Sequence, residues 1–225
     1  MPAMYDAGEI IRALDVFLAP GQVTELRLLN AVLTGSGGRA FTYNGFFDDR
    51  ALLVQALKQF SSWSGAYFTP NPLKPEILLR RRNRVDYSRL GDGATDRDVV
   101  SRRSLLVDLD PVRVKGISAS DIEHEAAIAL AHRIRDQLMA EGWPAPVLAS
   151  SGNGAHLCWR IDWPVASDLP KQLLHALASR FDTDAVKVDR SVFNPARIWK
   201  LYGTLACKGD PSPERPHRMA SCRRD

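Results

Sequence analysis

The sequence predicts an α+β fold, with helices packed on a largely antiparallel or mixed sheet. Helix-like and strand-like patterns are interspersed along the chain, and several strands are joined directly by turns rather than by helices. Glycine-rich turns at Gly35–Gly38 and Gly152–Gly154 each separate two strand patterns, which is a hairpin signal.

The N-terminal part contains two helix patterns and three strand patterns. Apolar residues at helical spacing occupy residues 8–18 and stop at Pro20. A second helix pattern follows Asp48 and Asp49, either of which can cap its first turn. The strand patterns cover residues 23–29, 39–43 and 65–69.

The C-terminal part has sharper patterns. Residues 104–110, SLLVDLD, are apolar and β-prone, and they predict a buried strand. Ser120 and Glu123 have capping-box spacing ahead of a helix that ends at Gly142. The remaining patterns predict a helix after Pro170 and strands at residues 146–151, 155–161, 185–189 and 197–203.

The composition is that of an ordinary globular protein, with 45% hydrophobic and 25% charged residues among 225. It excludes a disordered, collagen-like or coiled-coil chain. Cys158, Cys207 and Cys222 are too scattered for a disulfide framework or a CxxC zinc pair, and they favour a reducing cytoplasm. Because the chain has no long apolar run and no signal-peptide pattern, we expect neither membrane attachment nor secretion.

The net charge of +4 is concentrated in two basic segments. Residues 74–84 contain five basic side chains against one acidic, and residues 197–225 contain seven against three. Such clusters suit a polyanionic partner such as phosphate or nucleic acid. Each cluster taken alone is equally typical of a solvated surface.

Asp108 and Asp110 are the sharpest chemical feature. Residues two apart on a strand point to the same face, so two carboxylates project side by side at the end of a buried strand. Their repulsion is costly unless a cation neutralises it, and oxygen-seeking Mg²⁺ or Mn²⁺ fits that role. The alternative is a strand that simply ends in a polar loop before Pro111.

The second feature is the segment Ser151-Gly152-Asn153-Gly154, which is followed closely by His156. Its two glycines allow the backbone to approach a ligand and to present amide N–H groups to phosphate. His156 can hydrogen-bond a phosphate oxygen, although an ordinary hairpin with a structural histidine explains the pattern equally well. The segment matches neither a P-loop nor a serine-hydrolase elbow.

Asp189 ends the strand pattern at residues 185–189, and Arg197 and Lys200 lie in the next strand pattern. The negative charge of a triphosphate is neutralised by a metal ion together with Lys or Arg side chains. Cations near an acidic metal site therefore favour triphosphate binding. Taken singly, these residues are more typical of a surface carboxylate and a surface basic strand. Arg197 and Lys200 are three apart, so a shared ligand requires a bulge or twist in that strand.

The four motifs occur in the order D-x-D, S-G-x-G-x-H, V-D and R-x-x-K-x-x-G-T. The run LLVDLDPVR…SSGNGAHL…KVDRSVFNPARIWKLYGT resembles the archaeo-eukaryotic primase superfamily, specifically the small primase–polymerase (PrimPol) domains of phages, plasmids and bacterial mobile elements. The resemblance covers about residues 40–220. It implies an RRM-like catalytic sheet fused to a smaller α/β unit, and template-directed nucleotidyl transfer for primer synthesis, primer extension or both.

The resemblance also implies roles for the motif residues. Carboxylates that hold two divalent ions, Mg²⁺ or Mn²⁺, are matched by Asp108, Asp110 and Asp189. The motif that contacts the phosphates of the incoming nucleotide is matched by Ser151, Gly152, Asn153, Gly154 and His156. The cations that bind the triphosphate are matched by Arg197 and Lys200. No zinc module is expected, because Cys207, His217 and Cys222 lack a fourth ligand at suitable spacing.

On this basis residues 1–210 form the catalytic domain, with an N-terminal α/β part at 1–95 and an RRM-like metal-site part at 96–210. Residues 211–225 form a basic tail that we expect to be loosely ordered. The expected partners are a single-stranded DNA template, a primer strand, nucleoside triphosphates, and a helicase on a separate chain or a downstream domain. Because residues 80–84 lack apolar periodicity, we expect template contacts from Asn71, Lys74, Arg81 and Arg84.

Two other functions remain open from the sequence. A non-catalytic RRM-like module binds single-stranded nucleic acid through exposed aromatic residues on its central strands, whereas the strand SLLVDLD offers carboxylates. A metal-dependent phosphoesterase or nuclease also uses clustered carboxylates, but it has less need for cations such as Arg197 and Lys200.

Overall fold

A computed structural model describes residues 3–223, with side chains described for residues 3–222. Within these residues the chain forms five α-helices, two large sheets and one two-stranded ribbon. The helices are α1 (Ala7–Phe17), α2 (Arg50–Leu57), α3 (Leu78–Arg81), α4 (Asp121–Ala140) and α5 (Leu169–Phe181). The strands are β1 (Thr24–Leu33), β2 (Ala40–Phe47), β3 (Phe60–Ser62), β4 (Gly65–Phe68), β5 (Asp86–Tyr87), β6 (Arg102–Pro111), β7 (Val147–Ser150), β8 (Ala155–Trp163), β9 (Val186–Val188), β10 (Trp199–Lys200), β11 (Leu205–Ala206), β12 (Arg218–Met219) and β13 (Ser221–Arg223).

The first large sheet, here called the N-terminal sheet, has the strand order β10-β4-β1-β2-β5, with β3 also paired to β1. The apolar residues of α1, such as Ile10 and Leu14, join Leu26 and Leu28 of β1 in the main core. Helix α2 is capped by Asp49, one of the two capping residues predicted, whose side chain accepts a hydrogen bond from the Leu52 N–H. Local capping and the burial of one apolar face therefore explain both helices.

The second large sheet has the strand order β13-β7-β8-β6-β9, and all its neighbouring strands are antiparallel. Its core elements follow the order β6-α4-β7-β8-α5-β9, which is the βαββαβ arrangement of RRM-like domains. Helix α4 begins with the predicted capping box of Ser120 and Glu123. The predicted α+β class and the RRM-like sheet are both confirmed.

The segment around β10 differs from the prediction. A strand was expected over residues 197–203, but β10 contains only two residues, and Arg197 lies in a turn closed by its N–H donating to the Asn194 carbonyl. Strand β10 pairs with β4, so a late segment completes the sheet formed by early segments. The predicted division at residues 95 and 96 therefore runs through elements that share one sheet.

The expectation of a loosely ordered tail is wrong for its described part. Strand β12 pairs with β11, and β13 forms the edge of the RRM-like sheet beside β7. Arg215 donates to both carboxylate oxygens of Glu123, at 2.7 and 2.9 Å, and this contact lowers the pKa of Glu123 to about 2. Composition alone does not reveal a free sheet edge on which the segment can pair. The expectation for residues 224 and 225 lies outside the described residues.

Buried apolar residues of both large sheets belong to one main core. A smaller apolar cluster packs beneath the segment between β4 and β6, and it comprises Val23, Phe46, Leu73, Ile77, Val99 and Ala196. Its members come from both halves of the chain, so segments that are distant in the sequence pack together. No helix among residues 3–223 is both long and apolar enough to cross a membrane.

Candidate active site

Three carboxylates meet at one end of the RRM-like sheet. Asp108 and Asp110 lie on the same face of β6, and Asp189 directly follows the neighbouring strand β9. The N–H of Asp189 donates to the carbonyl of Asp108 at 2.8 Å, which brings the third side chain to the first two. One oxygen of each carboxylate lies within 4.8 Å of the others.

This grouping concentrates negative charge next to two guanidinium groups. Burial, together with the nearby Asp108 carboxylate, raises the pKa of Asp110. The Arg113 side chain is 6% exposed and places Nη1 3.7 Å from Asp110 Oδ1, while Arg197 Nη2 lies 3.7 Å from Asp189 Oδ2. Both separations exceed hydrogen-bond length, so lone pairs of the carboxylates remain available to a cation.

The carboxylates line a cleft of about 650 Å³ between the two large sheets. The N-terminal sheet contributes Tyr67 and Lys200, and the RRM-like sheet contributes the carboxylates and His156. The segment after β10 contributes Cys207 and Lys208. A cleft of this volume accommodates a ligand the size of a cofactor.

His156 lies opposite Asp108 in the pairing of β6 with β8, and it is almost completely buried. Its Nε2 is 3.4 Å from Asp108 Oδ1, and its Nδ1 is 2.7 Å from Tyr202 Oη. The Trp199 ring packs against the imidazole, with 3.9 Å between ring centroids. The predicted histidine therefore lies beside the carboxylates, and Tyr202 and Trp199 contact the rest of its ring.

The glycine turn after β7 is held by its own hydrogen bonds. Ser151 Oγ accepts from the N–H groups of Asn153 and Gly154, at 3.4 and 2.8 Å. The N–H of Gly152 donates to Ser150 Oγ at 3.1 Å. The amide groups that were expected to face phosphate are therefore used within the turn. Its side chains at positions 151 and 153 still line the cleft.

Arg197 and Lys200 line the same cleft in different environments. Arg197 is partly exposed, since it lies in the turn before β10 and not on the strand, and this removes the conflict with strand periodicity. Lys200 is 5% exposed, and its Nζ donates to the Leu205 carbonyl at 3.2 Å and lies 5.7 Å from the centroid of the Tyr67 ring. Burial lowers the pKa of Lys200 to about 7.

Asn71 was expected to contact template, but it is buried and joins two parts of the fold. Its Oδ1 accepts from the N–H groups of Arg103 and Ser104, at 2.8 and 3.1 Å, and its Nδ2 donates to the Pro195 carbonyl at 2.8 Å. The side-chain amide is thus occupied by the start of β6 and the turn before β10. The expectation for Asn71 is wrong, because sequence periodicity does not reveal these buried partners.

The other three expected template residues divide into one internal and two exposed side chains. Arg81 contacts the Asn44 side chain and donates to Asp92 Oδ2 at 2.7 Å, so its guanidinium serves the fold rather than the surface. Lys74 is exposed. The Arg84 side chain is 65% exposed, with Asp86 as a distant ion-pair partner at 3.9 Å. Lys74 and Arg84 therefore remain candidates for template contact.

Two polar side chains that line the cleft, Tyr67 and Arg113, were not predicted from the sequence. Arg113 follows the second aspartate by three positions in an irregular segment, where no periodicity indicates its direction. Tyr67 reaches the cleft only because the N-terminal sheet packs beside the RRM-like sheet. To predict that Tyr67 lines the cleft, one would have to know that β4 pairs with β10.

The donor set fits a hard divalent cation. Asp108, Asp110 and Asp189 offer carboxylate oxygens only, which Mg²⁺ and Mn²⁺ prefer over nitrogen and sulfur ligands. The mutual repulsion of three close carboxylates is relieved by such a cation.

No protein-family model matches the sequence, and comparison with curated proteins finds no match. Two solved structures are similar in fold. The AEP domain of the cyanophage S-2L primase–polymerase (PP-N190) superposes with a TM-score of 0.52 at 14% identity, over 99% of this chain and 91% of that chain. Primase RepB′ superposes with a TM-score of 0.48 at 13% identity, over 97% of this chain and 56% of that chain.

The likeness to the cyanophage domain is one of fold, because the sequences share only 14% identity. It spans nearly the whole length of both chains, so it includes both large sheets and the cleft between them. The fold expected from the order of the four motifs is thereby confirmed. The chain has the fold of the archaeo-eukaryotic primases.

Proposed function

We propose that this chain is a template-directed nucleotidyltransferase, a DNA primase or polymerase that joins nucleoside triphosphates to a 3′-hydroxyl. The observation that carries the proposal is one cleft that brings together three carboxylates and two cations: Asp108, Asp110, Asp189, Arg197 and Lys200. A triphosphate needs both a cation held by carboxylates and direct contacts from Lys or Arg. The primase fold supports the same conclusion.

In this proposal the triphosphate lies in the cleft, within reach of both the carboxylates and the two cations. Arg197 is suited to bidentate, charge-assisted contacts with phosphate oxygens, whereas Lys200 supplies a point charge. The side chains of Ser151, Asn153 and His156 donate further hydrogen bonds to the phosphates. Gly152 and Gly154 shape the turn that carries two of these donors.

Asp108, Asp110 and Asp189 would hold Mg²⁺ or Mn²⁺. When bound, such ions lower the pKa of an attacking hydroxyl and stabilise charge on a departing phosphate. In the reaction the 3′-oxygen forms a bond to the α-phosphorus, its proton passes to solvent, and the bond from the α-phosphorus to the bridging oxygen breaks with loss of pyrophosphate. The residues of this chain contribute by aligning the triphosphate and by balancing its charge.

Primer extension on a single-stranded template, with labelled primer and either Mg²⁺ or Mn²⁺, tests the proposal. Asp108→Asn and Asp110→Asn preserve shape and remove charge, so incorporation should fall more than about 100-fold, since several kcal/mol of charge stabilisation are lost. Asp162→Asn is the matched control, because Asp162 is an exposed residue of β8 in the same sheet. Its activity should equal that of the unmodified protein.

The same assay separates the other candidate functions. Shortening of the labelled strand that depends on Asp108 identifies a nuclease. Binding of the template without incorporation by the unmodified protein, under all metal and nucleotide conditions, identifies a binding module. Either result contradicts the proposal.

A further inference from the structure

A buried chain of hydrogen bonds reaches the candidate active site from behind. Trp199 Nε1 lies 2.8 Å from Tyr202 Oη, which in turn lies 2.7 Å from His156 Nδ1. The other imidazole nitrogen, Nε2, lies 3.4 Å from Asp108 Oδ1 at the cleft. Trp199, Tyr202 and His156 are 2%, 0% and 4% exposed, so solvent does not compete for the polar groups between them.

The direction of these hydrogen bonds follows from the number of hydrogens available. An indole N–H can only donate, so Trp199 uses the Tyr202 oxygen as an acceptor. Tyr202 has one hydroxyl hydrogen, and within residues 3–223 its oxygen contacts no acceptor other than His156 Nδ1. Because a buried hydroxyl that fails to donate is costly, this hydrogen goes to Nδ1. The imidazole therefore carries its own proton on Nε2.

Packing prevents the imidazole from turning over. The Trp199 ring lies against it at a centroid distance of 3.9 Å and an interplanar angle of 31°, and the Tyr202 ring lies 5.8 Å away at 72°. A half-turn of the His156 ring would replace Nδ1 by a carbon and leave the Tyr202 hydroxyl without an acceptor. The Nε2–H group is therefore held in one position and one direction.

We propose that Trp199 and Tyr202 are positioning residues that fix His156 as the Nε2–H tautomer, so that this N–H donates to an oxygen of the nucleotide phosphates in the cleft. The role toward nucleotide rests on the proposed function, whereas the tautomer does not. Trp199 belongs to β10 of the N-terminal sheet and His156 to β8 of the RRM-like sheet. A residue of the N-terminal sheet thus helps to fix which nitrogen of His156, in the RRM-like sheet, carries the proton.

Nitrogen NMR of the full chain labelled with ¹⁵N-histidine tests the tautomer without any need for activity. The two-bond ¹H–¹⁵N correlation pattern distinguishes the Nε2–H, Nδ1–H and doubly protonated rings. Loss of signals in His156→Gln identifies His156 among the five histidines. We expect the ring hydrogen on Nε2 and none on Nδ1, because Nδ1 accepts from the Tyr202 hydroxyl. A hydrogen on Nδ1 overturns the proposal.

Tyr202→Phe retains the aromatic ring and removes only the hydroxyl. We expect His156 to lose its single tautomer and to give signals of a mixture. Phe17→Leu is the matched control, because Phe17 stacks on the Tyr202 ring at 5.7 Å without contacting the hydrogen bonds, and it should retain the Nε2–H pattern. An unchanged His156 pattern in Tyr202→Phe overturns the proposal.

Trp199→Phe provides the same test if Tyr202→Phe does not fold. It replaces the indole that packs against the imidazole by a smaller ring, so the His156 ring gains room to turn over and to lose its contact with the Tyr202 hydroxyl, and a mixture of His156 tautomers is again expected. A retained single Nε2–H tautomer in this variant contradicts the role given to Trp199.

Nucleotide kinetics test the role in the cleft. Tyr202→Phe should raise the KM for nucleotide about 3- to 10-fold, the effect of one misdirected hydrogen bond. Its template affinity should stay unchanged, and Phe17→Leu should leave the KM unchanged as well. A lower kcat with unchanged KM overturns the positioning role. If the unmodified chain incorporates no nucleotide, the proposed function fails, and the NMR measurement still decides the tautomer.

Discussion

At the scale of single residues, Lys200 shows how burial changes a cation that the sequence marks only as basic. Burial is the main cause that lowers its pKa to about 7, and the nearby Cys207 opposes the shift. In the free protein near neutral pH, a large fraction of this side chain is therefore uncharged. The charge needed for a triphosphate contact has to be restored when the ligand binds.

Nucleotide binding should therefore be coupled to proton uptake at Lys200. Between pH 7 and the ordinary lysine pKa of about 10.4, the free protein holds a neutral amine, whereas a bound phosphate favours the ammonium form. Affinity should accordingly fall as the pH rises above 7. Titration calorimetry at pH 8, in two buffers with different ionisation enthalpies, should show uptake of up to about one proton per nucleotide.

Two variants give this measurement its controls. Lys200→Met should abolish the proton uptake, and Arg197→Met should weaken binding while leaving the uptake in place, because the uptake comes from the lowered pKa of Lys200. Equal binding heats in the two buffers for the unmodified protein would contradict the assignment.

The sequence predicts the positions and roles of some residues and not of others. Asp108 and Asp110 were predicted because strand periodicity alone places two carboxylates on one face. Asn71 was not predicted as internal, because its role depends on three backbone groups that are distant along the chain. A polar side chain with buried partners looks, in sequence, the same as an exposed one.

At the scale of elements, the prediction succeeded where local signals suffice. The capping box of α4 and the hairpin between β7 and β8 are specified by residues within a few positions of each other. A Cβ at Gly154 would lie 2.3 Å from the Leu109 carbonyl, so this glycine permits the close approach of the hairpin to β6. The bounds of the short strands β10 and β13 were not predicted. Each of these segments forms a strand because it pairs with a strand that is distant along the chain, β10 with β4 and β13 with β7.

The segment between β4 and β6 carries a prediction about template. Arg80, Arg81 and Arg82 form ion pairs within the fold. Among the residues predicted to contact template, Lys74 and Arg84 are exposed. Lys74→Glu and Arg84→Glu should each weaken binding of single-stranded DNA. Each lost phosphate contact should reduce the slope of log affinity against log salt by about 0.7.

Fluorescence anisotropy over a series of salt concentrations measures that slope. Lys171→Glu is the matched control, because Lys171 is an exposed cation on α5, outside the segment and the cleft. An unchanged slope in the Lys74 and Arg84 variants, or an equal reduction in the control, would place the template elsewhere.

At the scale of the whole molecule, the two sheets cannot be separated at residue 95. Strand β10 pairs with β4, Asn71 binds the backbone of the C-terminal half, and the smaller apolar cluster includes Val99 and Ala196. The division predicted from motif positions reflected where the first motif residues begin. Sheet pairing across the sequence leaves no local signal in composition.

A fragment of residues 1–95 should consequently not fold by itself. It would expose the edge of β4 and part of an apolar cluster, which favours aggregation. Size-exclusion chromatography and thermal circular dichroism should show aggregates without a cooperative transition, whereas the full chain should be soluble and unfold cooperatively. A monomeric fragment with a cooperative transition would contradict this prediction.

Because Trp199 pairs with Phe68, the cleft can form during biosynthesis only after residue 199 has been synthesised. At about 5–20 residues per second, a ribosome needs roughly 7 to 26 seconds to pass from Phe68 to Trp199. During that interval the nascent chain lacks the part of the cleft that carries Lys200. The edge of β4 that pairs with β10 has no partner strand. A nascent chain therefore lacks one part of the cleft until residues 199 and 200 have left the ribosome and paired with β4.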